Sequence, residues 1–308
     1  MKKLIIRIII RIRLLQLQIK RIVNTIYVII FYNKRFIFID GWFLQWCGNT
    51  TKRNFGDELN VYLLEALTGK KVVSASETLF RGSRYLVIGS IIEHYSSADS
   101  IIWGSGVIDG NNNHLSAYPK KVCAVRGKMS RDFLEKYGVD CPEVYGDPAL
   151  LLPLVYTPQV SKKYKYGIIP HVCDINNPII QKFLSENRKD VHLISFANYA
   201  DWHSVIDEIN SCENIISSSL HGLIISDAYK IPNVWIKVSD LIVGGEYKYK
   251  DYFSGVEREY FPPLILSEES TTLDIDICLA KYQNIRPNIS DLLKSCPFEL
   301  SSKYINHA

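Results

Sequence analysis

The chain has 308 residues, 47% apolar and 22% charged, the proportions of a globular protein with a real core and the length of one large domain or two ordinary ones. The net charge is +4, and seven of the 36 Lys and Arg residues crowd into the first 21 positions with no acid among them. The remainder is close to neutral, which excludes a nucleic-acid protein carrying a basic stripe on its fold.

Residues 1–31, MKKLIIRIIIRIRLLQLQIKRIVNTIYVIIF, read as an amphipathic helix. Leu4, Ile5, Ile8, Ile12, Leu15, Ile19, Ile22, Val23, Ile26 and Ile30 fall on one arc at steps of three and four, with Lys2, Arg7, Arg11, Arg13, Lys20 and Arg21 outside it. Charges break each apolar stretch short of the ~20 residues a membrane span needs. Arg11, Arg13 and Lys20 also break the apolar region of a signal peptide. The pattern predicts an interfacial helix lying on anionic lipid, with packing on the protein's own surface as the alternative. The β-branched residues leave 26–31 open to strand.

From residue 35 short apolar strands alternate with helices. RFIFIDGWFL is a strand, and DELNVYLLEALTG a helix stopped by Gly69. YLVIGS, IIWGSG and KVCAVRG are strands. MSRDFLEKYG is a helix with Ser130 as N-cap. In VYGDPALLL, Asp147 caps and Pro148 opens a helix. A second series follows: strands YGIIPH, VHLISFA, ENIISSS and NVWIKV, and helices NPIIQKFLSEN, DWHSVIDEINSC and LHGLIISDAYKI. GGEYKYKDYFSG reads as a glycine-rich loop carrying Lys248 and Lys250, and the tail from 285 as a short helix with a polar end. Such alternation predicts an α/β chain of parallel sheets covered by helices. Pro153, Pro158 and a polar linker divide it into a 1–34 basic amphipathic segment and two Rossmann-like domains facing a cleft, 35–155 and 156–308, the second with a terminal helix.

In such sheets ligands bind beyond the carboxyl ends of the strands. There the chain places Asn54, Gly56 and Asp57; Gly104 and Ser105; Arg126; His171; and Ser217, Ser218, Ser219 and His221. Glycine turns that feed helix starts offer free N–H groups and a positive dipole end, and an arginine adds a planar fork for carboxylate or phosphate. The bland readings are N-caps for Asp57 and Asp147, a satisfied His221, and an ordinary ion pair for Arg126. No GxGxxG follows a strand, and no GxxxxGK[ST], HExxH or GxSxG occurs. Seven cysteines, an odd number with no CxxC pair, point to reduced, structural thiols rather than a disulfide framework or zinc site.

NFGDELN, VRGKMS, YGDPALLLP, GIIPHVCD, SSSLHGLIISDAYKIP and YKYKDYFSG stand in an order that resembles the polysaccharide pyruvyl transferase family, and within it the succinoglycan-ketolase-like branch. The resemblance covers roughly residues 36–260. It implies a fold similar to the GT-B glycosyltransferases, phosphoenolpyruvate as donor and a sugar diol as acceptor. The products are a pyruvate ketal and free phosphate; no cofactor and no metal are called for. Many members carry an arginine before the Leu-His pair that meets the donor. Here that position is Ser219, so Leu220 and His221 match and Arg126 matches the family's strand-end arginine.

On this reading His221 is the proton donor to the enol methylene, with Asp57 or His171 taking the proton of the sugar hydroxyl. Asn54, Gly56, Gly104, Ser105, Arg126, Ser218, Ser219, Leu220, Gly222 and Lys248 line the substrates. Bacterial repeat units are often built on a polyprenyl lipid. That predicts a polyprenyl-diphosphate-linked acceptor of exopolysaccharide or capsule synthesis, and an enzyme held on the cytoplasmic face of the membrane by its first helix. Two other functions fit the same chain: a nucleotide-sugar glycosyltransferase, and a non-catalytic scaffold of capsule assembly.

Overall fold

The computed structural model describes residues 2–32, 36–41, 53–111 and 114–305, with side chains from residue 10 in the first helix. The end of the first predicted strand, after Gly41, lies outside the described residues. The elements in chain order are α1 (Lys2–Tyr32), β1 (Phe36–Ile39), α2 (Phe55–Thr68), β2 (Lys71–Ser74), β3 (Arg84–Leu86), α3 (Ile92–Tyr95), β4 (Ser100–Trp103), β5 (Lys121–Ala124) and α4 (Lys128–Lys136). A 3-10 turn (Pro148–Leu151) leads into α5 (Leu152–Val155). Then come β6 (Tyr164–Ile169), α6 (Pro178–Glu186), β7 (Val191–Leu193), α7 (Trp202–Asn210), β8 (Cys212–Ser217), α8 (Leu220–Ala228), β9 (Asn233–Lys237) and α9 (Tyr247–Gly255). β10 (Leu264–Ile265), α10 (Thr272–Leu279), α11 (Ile289–Lys294) and α12 (Ser302–Ile305) complete the described chain.

Two five-stranded parallel sheets result, in the orders β2-β1-β3-β4-β5 and β10-β9-β8-β6-β7. Strands rich in Val and Ile, buried on both faces, are what a helix-covered parallel sheet requires. The largest apolar cluster joins the two sheets: Ile39 and Trp103 of the first, with Leu63 of α2, pack in one core with Ile169, Ile215 and Trp235 of the second. The C-terminal tail crosses back to the first sheet. Trp103 Nε1 donates to Leu292 O at 3.0 Å, and Ser301 N–H to Leu67 O at 2.8 Å.

Three expectations change. Ser130 is not the N-cap of α4; Gly127 is, and Ser130 sits in the first turn with its hydroxyl on Asp251 Oδ2 at 2.7 Å. Lys248 and Lys250 are on α9, not on a loop. The Gly244–Gly245 pair precedes the helix, and Lys250 pairs with Glu246 at 2.9 Å. Residues 26–31 are helical, and Ile10–Phe31 is long and apolar enough to cross a membrane by length and composition, against the expectation that charges shorten every stretch.

The contacts of α1 show how it sits. Lys20 pairs with Glu77 at 2.8 Å, Arg21 donates to Thr78 O at 2.8 Å, and Asn24 donates to Glu77 O at 3.1 Å. Thr25 Oγ1 takes the Leu79 N–H at 2.9 Å. These polar residues clamp the helix midpoint to the turn after β2. Of the predicted apolar arc, Ile12, Leu15, Ile19, Ile22, Val23, Ile26 and Ile30 all face outward, exposed.

Candidate functional site

The strand ends of both sheets deliver their polar residues to one cluster. Phe55 N–H donates to Phe196 O at 2.8 Å, which ties the start of α2 to the second sheet. His221 is the second residue of α8 and lies against that start. A Cβ on Gly56 would drive into its Nδ1, so only glycine lets the imidazole approach α2. On the other side His221 Nε2 faces Asp147 Oδ2 at 3.9 Å. Both atoms are buried, and among the described residues neither has a hydrogen-bond partner. Asp147 is held by its second oxygen, which takes the Ala149 N–H at 2.9 Å and caps the 3-10 turn. Gly104, at φ 83°, lets the Pro148 ring and the Gly146 carbonyl come close, and so fixes where that turn starts.

The electrostatics of this pair are unusual for a cap. Burial pushes the Asp147 carboxyl up to about 7, against the pull of the Ala149 amide and Arg126. Burial, then the charges of Arg126, Lys248 and His171, pushes His221 down to about 3. Near neutrality the pair therefore favours uncharged forms, a carboxylic acid facing a neutral imidazole.

Lys248 supplies the unspent cation. It is 8% exposed, and among the described residues it has neither hydrogen bond nor ion pair; its Nζ lies 5.6 Å from the centre of the Tyr249 ring. Burial, then Arg126, pushes it down to about 8, while Asp57 and Cys173 oppose the shift. Asp57 is the third residue of α2 and does not cap it; Asn54 Nδ2 donates to its Oδ2 at 2.9 Å. Burial raises Asp57 to about 6, with the Lys248 charge opposing.

The α8 start faces the same cluster. Ser219 is its N-cap but makes no side-chain cap bond. The first-turn N–H groups of Leu220, His221 and Gly222 form the positive end of the helix. Ser217 Oγ takes the Ser219 N–H at 3.0 Å. Ser218 is buried, its Oγ takes the His171 N–H at 2.9 Å, and its carbonyl takes the Tyr249 hydroxyl at 2.6 Å. His171 is half-buried and pushed down to about 4 by burial and then by Lys248. Gly222 carries no Cβ because Ser217 Oγ occupies that space.

Arg126 does not present the fork expected of it. It is buried, its Nε donates to Asp251 Oδ2 at 2.9 Å and its Nη2 to Val107 O at 2.7 Å, and its Nη1 donates to Ser90 Oγ. The ion-pair reading of this residue is the one observed. Its charge still reaches His221, Asp147 and Lys248. Ser105 is likewise internal, its hydroxyl on Gly89 O at 2.8 Å. A separate cavity walled by Trp235, Phe253, Phe261 and Tyr282 touches none of the cluster residues.

Sequence reasoning passed over Asp147 as a functional group, taking it for a cap, and passed over Cys173 and Asp251. The signal for Asp147 was its place in YGDP: one more acid at a strand-to-helix junction, like Asp57. Among the described residues no group of three or more His, Cys, Asp or Glu is arranged to hold a metal.

Comparison with known proteins bears on the family. Residues 17–240 match the sequence profile of the family described as polysaccharide pyruvyl transferase. An uncharacterised protein, L143, of Acanthamoeba polyphaga mimivirus is 27% identical over 273 residues, covering 82% of this chain and 93% of that one. The succinoglycan biosynthesis protein ExoV of Rhizobium meliloti (strain 1021) is 26% identical over 227 residues, 68% of this chain and 63% of its own length. A crystal structure of an uncharacterised Klebsiella pneumoniae protein superposes with a TM-score of 0.40 at 13% identity, over 78% of this chain and 96% of that one. With its motifs, its two parallel sheets and a profile match across most of its length, the chain belongs to the polysaccharide pyruvyl transferase family.

Proposed function

We propose that the protein transfers a pyruvyl group from phosphoenolpyruvate to two hydroxyls of a sugar, forming a ketal and releasing phosphate. The observation that carries this reading is Lys248, a nine-tenths buried ammonium without a hydrogen bond among the described residues, near enough for its charge to act on His221 and Asp57. A donor bearing both a carboxylate and a phosphate needs a desolvated cation and helix N–H groups.

The residues fit the chemistry step by step. The buried pair holds a proton at Asp147 that passes through His221 to the donor's methylene carbon, leaving the adjacent carbon short of electrons. Asp57, raised to about 6 and ionised at neutrality, takes the proton from the attacking hydroxyl. The second hydroxyl then displaces phosphate, which leaves with its bonding pair toward Lys248 and the α8 amides and takes up that hydroxyl's proton. Arg126 contributes field rather than contact.

The acceptor is a polyprenyl-diphosphate-linked saccharide, and α1 rests on the anionic cytoplasmic face of the membrane. What supports this is the clamp at Lys20, Arg21 and Asn24, which ties the middle of α1 to the body while its apolar arc stays uncovered. A helix so held at its midpoint is suited to lie in an interface rather than to cross it.

The test is incubation with phosphoenolpyruvate and a panel of lipid-linked oligosaccharides, with mass spectrometry for the pyruvyl ketal and an assay for released phosphate. Turnover only with a nucleotide sugar would replace this reading by glycosyl transfer. Turnover with neither would leave the scaffold.

A further inference from the structure

One group in the cluster takes no part in the steps above. The Cys173 thiol lies 2.9 Å from His171 Nδ1, and the Cys173 backbone N–H points at the same nitrogen from 3.4 Å. A ring nitrogen approached by a backbone N–H presents its lone pair, so Nδ1 is an acceptor able to take the thiol proton. Lys248 is near enough for the two to interact: a thiolate at Cys173 would help the lysine keep its proton. That lysine is the buried, unspent cation of the site. Cys173 itself is half-buried and within reach of solvent.

The other described cysteines differ. Burial raises the thiols of Cys123, Cys141, Cys212, Cys278 and Cys296, so they keep their protons. Among the described residues none of the five has an imidazole within hydrogen-bond distance.

We propose that Cys173 is a reactive thiol in the wall of the anion pocket, a modification site for soft carbon electrophiles, with His171 as proton acceptor and Lys248 stabilising the thiolate. With iodoacetamide the step balances. The S–H proton passes to His171 Nδ1 and the sulfur pair forms the new C–S bond. The C–I bond breaks, iodide leaves with its electrons, and the imidazole returns the proton to solvent. Its place in the pocket rests on the donor-binding reading; the reactivity of the thiol does not.

The experiment is a time course of carbamidomethylation of the full chain, read residue by residue by peptide mass spectrometry. Cys173 is expected to label at least about tenfold faster than Cys278 and Cys296. His171→Ala and Lys248→Met slow Cys173 and leave the other two unchanged, which also reports that the variants remain folded. Inorganic phosphate slows Cys173 in the wild-type protein. Labelling of wild-type Cys173 no faster than Cys278 and Cys296 overturns the proposal, as does a rate indifferent to both substitutions. Fast, His171-dependent labelling that phosphate fails to slow supports the thiol and counts against the donor reading alone.

Discussion

On the proposed reading, His221 and Asp147, two ordinary residues, act together as a proton store. Asp147→Asn keeps the cap on Ala149 but cannot hold the proton, and it should lower kcat by about a hundredfold or more. The same change bears on stability. The folded carboxyl titrates near 7 against an ordinary 3.8, so the folded state holds a proton that the unfolded chain has lost across that interval. Stability therefore drains away as pH rises through it, and the penalty is complete above about 7. The asparagine variant escapes the penalty. It should melt above the wild type at pH 8 and close to it at pH 4; equal melting points at both would count against a desolvated carboxyl. Activity should rise as Asp57 ionises through about 6 and fall as the pair empties above about 7. Gly56→Ala pushes the imidazole off α2, and about a hundredfold loss of kcat is expected without loss of fold. Wild-type turnover by a well-folded alanine variant would remove the argument for close approach. His221, Asp57 and Gly56 were legible in the sequence; the part played by Asp147 was not. A capping aspartate and a proton-storing one look alike in one dimension, and Asp147 differs only because α8, more than seventy residues downstream, brings a ring nitrogen to 3.9 Å.

Elements were easier to read than their partners. The strands and helices of both sheets announce themselves because buried parallel strands are short Val/Ile runs and helices repeat at 3.6 residues. GGEYKYKDYFSG misled because its two glycines suggested a loop, whereas they form the turn before a helix that carries Lys248 inward. For α1 the sequence showed the arc but not the clamp. Removing residues 1–31 should release the protein from vesicles containing anionic lipid in a co-sedimentation assay, with far-UV circular dichroism unchanged apart from the lost helix. Equal binding by the truncated protein would remove α1 as the anchor.

Across the whole molecule, charge links the halves. Arg126 lies just beyond the end of the first sheet's last strand, and Asp251, 125 residues further on, reaches it from α9. Asp251 also holds Ser130 through its N–H and hydroxyl, both at 2.7 Å. Asp251→Ala strands a buried guanidinium, and chemical denaturation should show a loss on the order of 3–5 kcal/mol. A loss under 1 kcal/mol would mean that water or a shifted neighbour had replaced the carboxylate. The same geometry bears on how the enzyme lets its product go. The bond from Phe55 to Phe196 and the ring edge resting on Gly56 lie across the seam between the sheets. On the proposed reading, a hinge that widened the seam would draw His221 away from the place where a donor would lie. The proposed site would come apart on opening, and a half-entered donor would meet a protein that could not yet waste it on water.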